Sequence, residues 1–225
     1  MKTGITIFLL ITGITASLGQ DRFTAFYEPY IKLSYDVGEN YSHDFVFEER
    51  TIWYDNKSFM FSVKQIDLAH FSTFKLDDKN ALAVGVQYRF RDNFADKNQN
   101  ELRVTEEYTY STQPNVTEYE NRFRIEQRIT SSLTSHRFRY NFAVTRPFKE
   151  SKINAGDAYM IGDLETLLMV ARNIKPEFEQ RIGAGVGWVI SDLLKIELVT
   201  EYRLTDFAQK LGNELYIVTA IKVTL

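Results

Sequence analysis

His70 and Ser72 stand two residues apart in Asp67-Leu68-Ala69-His70-Phe71-Ser72. On a strand this spacing puts both side chains on one face, where an imidazole can act as general base on a hydroxyl nucleophile. Acyl transfer by such a pair also needs a carboxylate to orient the imidazole. Asp67 has the opposite strand parity, so that group has to come from a neighbouring strand, and Glu48, Glu101 and Glu106 are the candidates. The competing reading makes His70, with Phe71 and Phe74, part of a belt of amphipathic rings at a membrane interface, with Ser72 an ordinary strand residue.

A second set of residues that could do chemistry is a charge ladder. In Glu118 to Ile129, Glu120, Arg122, Arg124, Glu126 and Arg128 share one strand face, while Tyr119, Phe123, Ile125 and Ile129 share the other. Arg137 and Arg139, Glu179 and Arg181, and Glu201 and Arg203 repeat the pattern on later segments. A soluble half-buried strand would point such a face to water. A membrane barrel points it into a lumen, where opposite charges pair across strands and rings of charge can set selectivity. Inside a narrow lumen the same residues can also serve as a structural network that fills the space. The three histidines, at 43, 70 and 136, have no ligand spacing, so no metal is expected. Gly183-Ala184-Gly185-Val186-Gly187 precedes no helix and is not a phosphate loop; no cofactor is expected.

The elements that position these residues read as strands throughout. The chain of 225 residues is long enough for one all-β domain; it has 13 Tyr and 17 Phe, no Cys and a net charge of -3. The aromatics suit strands and membrane interfaces, the missing thiols exclude disulfides and a lipoprotein anchor, and the charge gives no basic excess for nucleic acid. Lys2, the apolar run Ile5 to Ile14 and Ser17-Leu18-Gly19 read as an export signal over residues 1–19, cleaved to leave a single domain at 20–225. Eleven strand-like segments follow. Bacterial single-chain barrels have even strand numbers, so the expected fold is an antiparallel, up-and-down, closed transmembrane β-barrel of about 10–12 strands, with ten or twelve the expected counts. Asp92 to Asn100 and residues 148–157 read as polar loops. The glycines of the 183–187 segment leave room for bulky lumen neighbours or mark a bend. Leu215, Ile217, Ile221, Val223 and Leu225 form a terminal apolar strand face like the assembly signal of outer-membrane barrels.

The order of Asp67-Leu68-Ala69-His70-Phe71-Ser72, Gly85-Val86-Gln87-Tyr88-Arg89-Phe90, Asn100-Glu101-Leu102-Arg103, Arg122 to Arg128, His136 to Tyr140, Glu179-Gln180-Arg181 and Glu201-Tyr202-Arg203 resembles domain-of-unknown-function family 2490, found among exported bacterial proteins. The resemblance implies an outer-membrane β-barrel and no established activity. The expectation is therefore a structural or narrow-pore barrel of the Gram-negative outer membrane, not an enzyme, in contact with outer-membrane lipid and with the barrel-assembly machinery through its C-terminal strand. Two alternatives stand beside it: a lipid-modifying hydrolase using the His-x-Ser pair, which is similar to that of outer-membrane lipid A deacylases, and a soluble periplasmic barrel that binds a ligand.

Overall fold

Side-chain alternation marks most of the strand-like segments, and each of the eleven becomes a strand. The structure, a computed structural model, describes residues 23–91, 100–149, 152–207, 209 and 211–225. The expected signal peptide at 1–19 and the polar stretch 92–99 lie outside the described residues, as do 150–151 of the loop at 148–157.

Among the described residues there are eleven strands: β1 (Phe23–Gly38), β2 (Tyr41–Asp55), β3 (Ser58–Lys75), β4 (Asn80–Arg91), β5 (Glu101–Thr112), β6 (Glu118–Ile129), β7 (Thr134–Pro147), β8 (Ala158–Ala171), β9 (Ile174–Ser191), β10 (Leu194–Thr205) and β11 (Gly212–Thr224). Each pairs antiparallel with the next, and the sheet closes into a barrel through β1 against β11. Several links are tight. Asn56 and Lys57 connect β2 to β3 with positive φ at both positions, the conformation whose twist matches a two-residue hairpin.

The closure corrects the expected topology in two respects. The count is eleven, so adjusting it to an even number was the error, and the barrel is mixed rather than purely antiparallel. β1 and β11 run parallel over a register from Phe23↔Asn213 to Ser34↔Thr224. The cause is arithmetic: with every link a hairpin, an odd number of strands leaves the first and last pointing the same way. The start of β1 and the end of β11 consequently lie at opposite rims.

The two faces are inverted relative to a water-soluble core. Apolar outward residues are exposed, as with Val84 at 61% and Ile182 at 58%, whereas Glu126 on the inward face is 0% exposed. The buried apolar cluster is small, formed by Phe26, Ile52 and Tyr216. Glycines admit large inward neighbours, as expected. A Cβ at Gly187 would collide with the Tyr159 ring, and one at Gly183 with the Asp163 carboxylate. The Tyr159 hydroxyl then reaches across β9 to donate to Glu197 on β10 at 2.8 Å.

Candidate functional site: the charged lumen

Strand alternation turns the ladder inward, and hairpin register decides which charges meet. On β5 and β6, Glu101 accepts from Arg128 at 2.9 and 2.8 Å and from Arg103 at 2.7 Å, with Arg91 at 3.2 Å. Glu126 is shared by Arg139 at 2.8 Å, Arg103 at 3.5 Å and Arg124 at 3.8 Å. Glu165 on β8 binds Arg139 at 2.7 Å and Arg181 at 3.1 Å. Asp67 on β3 takes two bonds from Arg89, at 2.8 and 2.6 Å. Each carboxylate is thus held by one to three guanidiniums, the condition under which buried charge is tolerated.

The opposite arc is built from β9, β10, β11, β1 and β2. Arg50 donates to Glu28 at 2.6 Å, and Arg203 pairs with Glu201 and lies 3.6 Å from Glu28. The Tyr216 ring sits between these cations, with Arg203 3.4 Å and Arg50 4.9 Å from its centroid. Such contacts favour a cation over a ring face. Lys222 binds Glu197 at 2.7 Å.

Between the arcs lies a cavity of about 780 Å³. Its lining is divided by sign. β4 contributes Arg89 and Arg91, β5 Arg103, β6 Arg122, Arg124 and Arg128, and β7 Arg137 and Arg139: eight arginines with no carboxylate among them at the cavity surface. Of the carboxylates that hold this arc, Glu101 and Glu126 are buried beneath it. The facing arc presents Glu28, Glu48, Glu177, Glu179, Glu197, Glu201 and Glu214 against Arg50, Arg181, Arg203 and Lys222. A second cavity of about 450 Å³ lies toward the rim formed by the β5–β6 and β7–β8 links and is bordered by Glu118, Glu120 and Asp163. The interior is mainly polar, with an apolar patch at Phe26, Ile52 and Val218, and it is not solid.

The ladder residues named from the sequence, Glu120, Arg122, Arg124, Glu126, Arg128, Arg137, Arg139, Glu179, Arg181, Glu201 and Arg203, all lie on this inner surface or directly beneath it. Residues outside that set are equally central: Glu28, Arg50, Asp67, Arg89, Glu101, Arg103, Glu165 and Tyr216. Parity along their strands carried the signal, since Glu48 and Arg50 oppose Phe45 and Phe47, and Arg89 and Arg91 oppose Tyr88 and Phe90.

His70 and Ser72 are elsewhere, on the outward face. They meet through a third residue: His70 Nε2 is 3.0 Å and Ser72 Oγ 3.2 Å from Nδ1 of His43 on β2. The rings of Tyr41 and Phe45 pack on this pair of histidines, with centroids 4.8 and 4.9 Å away. Asp67 and Glu101 are engaged by arginines in the lumen, and Glu48 lines the inner cavity. Glu106 shares the outward face, but β4 lies between, with Val84 opposite both Ser72 and Glu106 in register. Among the described residues no carboxylate hydrogen-bonds either histidine, and no group of three potential ligands could hold a metal.

Fold and interior together define a closed, eleven-stranded β-barrel with a charged, chambered lumen. A family model described as Protein of unknown function (DUF2490) matches residues 30–213, and the chain belongs to that family. No curated protein and no solved structure matches it.

Proposed function

We propose that this protein is a transmembrane barrel of the bacterial outer membrane, structural or narrow-pore in character, whose ionic lumen braces the wall around a solute-sized chamber. The observation that carries the reading is the outward surface. Ile31, Phe45, Leu68, Val86, Phe123 and Leu198 belong to an exposed apolar band that follows the barrel round its circumference, interrupted by Glu106. Monomeric soluble proteins rarely expose apolar patches larger than a few hundred Å², whereas apolar exposure spread over this many strands suits a hydrocarbon solvent. The strands are long enough: β4 has 12 residues and β3 has 18, against about 9–11 for a tilted strand to cross a bilayer. Closure supports the same reading, since it pairs the backbone groups that lipid cannot satisfy.

In this reading the surrounding lipid is the first partner, and the outward apolar face of β11, ending at Leu225, is the element offered to the assembly machinery. The test is fractionation of cells exporting the protein, followed by gel migration of the detergent-extracted fraction with and without boiling. Recovery with the outer membrane and a heat-dependent shift are expected. A soluble, unshifted protein would overturn the proposal and leave a ligand-binding periplasmic barrel as the better account.

A further inference from the structure

The lumen charges are not all paired, and Arg137 and Glu214 are two that stand apart and face one chamber. Arg137 makes no ion pair and no hydrogen bond among the described residues, and its Nε is buried without a partner. Its register neighbour Glu126 is committed to Arg103, Arg124 and Arg139. Across the cavity, Glu214 accepts only the Tyr216 hydroxyl, at 2.8 Å, and has no cationic partner among the described residues. Both line the cavity of about 780 Å³. They lie at comparable depth: Arg137 is near the start of β7 and Glu214 near the start of β11, and both strands begin at the same rim.

This placement is informative because both arcs extend it. On β4 to β7 the wall beside Arg137 is arginine, while Glu177, Glu179 and Asp206 border it on its other side; the arc that carries Glu214 holds more glutamates than cations. A guanidinium with no carboxylate within hydrogen-bonding distance in a confined polar site recognises an oxyanion through parallel N–H···O bonds. A carboxylate facing it from the other side repels that anion unless the same molecule brings a cationic group. The volume is in the range of small-molecule sites.

We propose that the chamber binds a small zwitterionic solute, its phosphate or carboxylate held by the arginine arc at Arg137 and its ammonium group turned toward Glu214. The site requires only the closed barrel, so it goes beyond the membrane assignment and does not depend on it.

The test uses the full-length exported protein purified in detergent and isothermal titration with five probes. Phosphoethanolamine and β-alanine are the phosphate and carboxylate forms of one kind of zwitterion; inorganic phosphate carries the anion alone, acetate the carboxylate alone, and ethanolamine the cation alone. At least one zwitterion is expected to bind tighter than its matching anion, and the tighter zwitterion identifies the oxyanion. Arg137→Ala is expected to weaken that zwitterion at least tenfold, while Glu214→Gln brings its affinity down to that of the anion. Heat-dependent gel migration of each variant establishes that the barrel is intact. Should Arg137→Lys be needed because Arg137→Ala does not fold, loss of the bidentate fork with charge retained is expected to weaken binding as well. The proposal is overturned if neither zwitterion binds, if ethanolamine binds as well as either, or if the folded Arg137 variant binds unchanged.

Discussion

Neutralising Glu126 tests whether the buried ionic network holds the wall. Glu126 is 0% exposed and is the shared acceptor of Arg139 at 2.8 Å, Arg103 at 3.5 Å and Arg124 at 3.8 Å. Glu126→Gln keeps the volume and removes the charge. Breaking a buried pair by losing one partner costs about 3–5 kcal/mol, because the other charge is left uncompensated. Here each arginine keeps a second carboxylate: Arg139 has Glu165, Arg103 has Glu101 and Arg124 has Glu107. That argues for the lower end, about 3 kcal/mol. With a urea slope of about 1–3 kcal/mol/M, the unfolding midpoint falls by roughly 1–3 M. The control is Arg137→Ala. Arg137 has no hydrogen-bonded or ion-paired partner among the described residues to orphan, and its removal relieves repulsion from Arg128 and Arg181 while giving up a longer-range attraction to Glu126 and Glu179, so the midpoint is expected to stay within a few tenths of a molar. The assay is urea unfolding of the detergent-folded barrel followed by tryptophan fluorescence and by gel migration. An unchanged midpoint in Glu126→Gln, or an equal fall in Arg137→Ala, would refute the idea that specific pairing stabilises this wall.

Further outcomes follow from the same geometry. Gly187→Val places a side chain where the Tyr159 ring lies and is expected to cost about 1–3 kcal/mol by overpacking; Tyr159→Ala in the same chain should restore part of the loss, both read as shifts in unfolding midpoint. Because β1 and β11 are parallel, tags ahead of β1 and after Leu225 are expected at opposite rims of the barrel and, in the membrane placement proposed above, on opposite sides of the membrane, so antibody access to both tags on intact cells would contradict that combination. In the β3–β4 turn, the Lys79 backbone N–H and the Asn80 side chain hold the Asp77 carboxyl below its ordinary value. A lowered folded value means that the turn is stabilised at neutral pH and that this contribution is lost as acidification carries the group through its folded value. Faster amide exchange at Lys79 and Asn80 in acid is expected, with Asp77→Ala showing it already at neutral pH.

The strand pattern was legible because it is local. Alternation of Arg122, Arg124, Glu126 and Arg128 with Phe123 and Ile125 assigns the two faces whatever the fold, and the eleven segments could be counted directly. Adjusting that count to an even number replaced the chain's own signal with a rule about other barrels. His70 and Ser72 show the complementary limit. Their common face was readable at spacing two, yet the residue that joins them, His43, lies on another strand, and only the β2–β3 register brings it there.

By itself, then, the sequence determined the strands, their two chemistries and the near balance of Arg and Glu, since each depends on neighbours one or two residues away. The tertiary structure decided the rest: the parallel closure, the sharing of Glu101 and Glu126 among several arginines, and the division of the chamber into a basic and an acidic arc. Those depend on register and on which strands face each other across the lumen. Such relations join residues as distant as Arg137 and Glu214, and no local pattern encodes them.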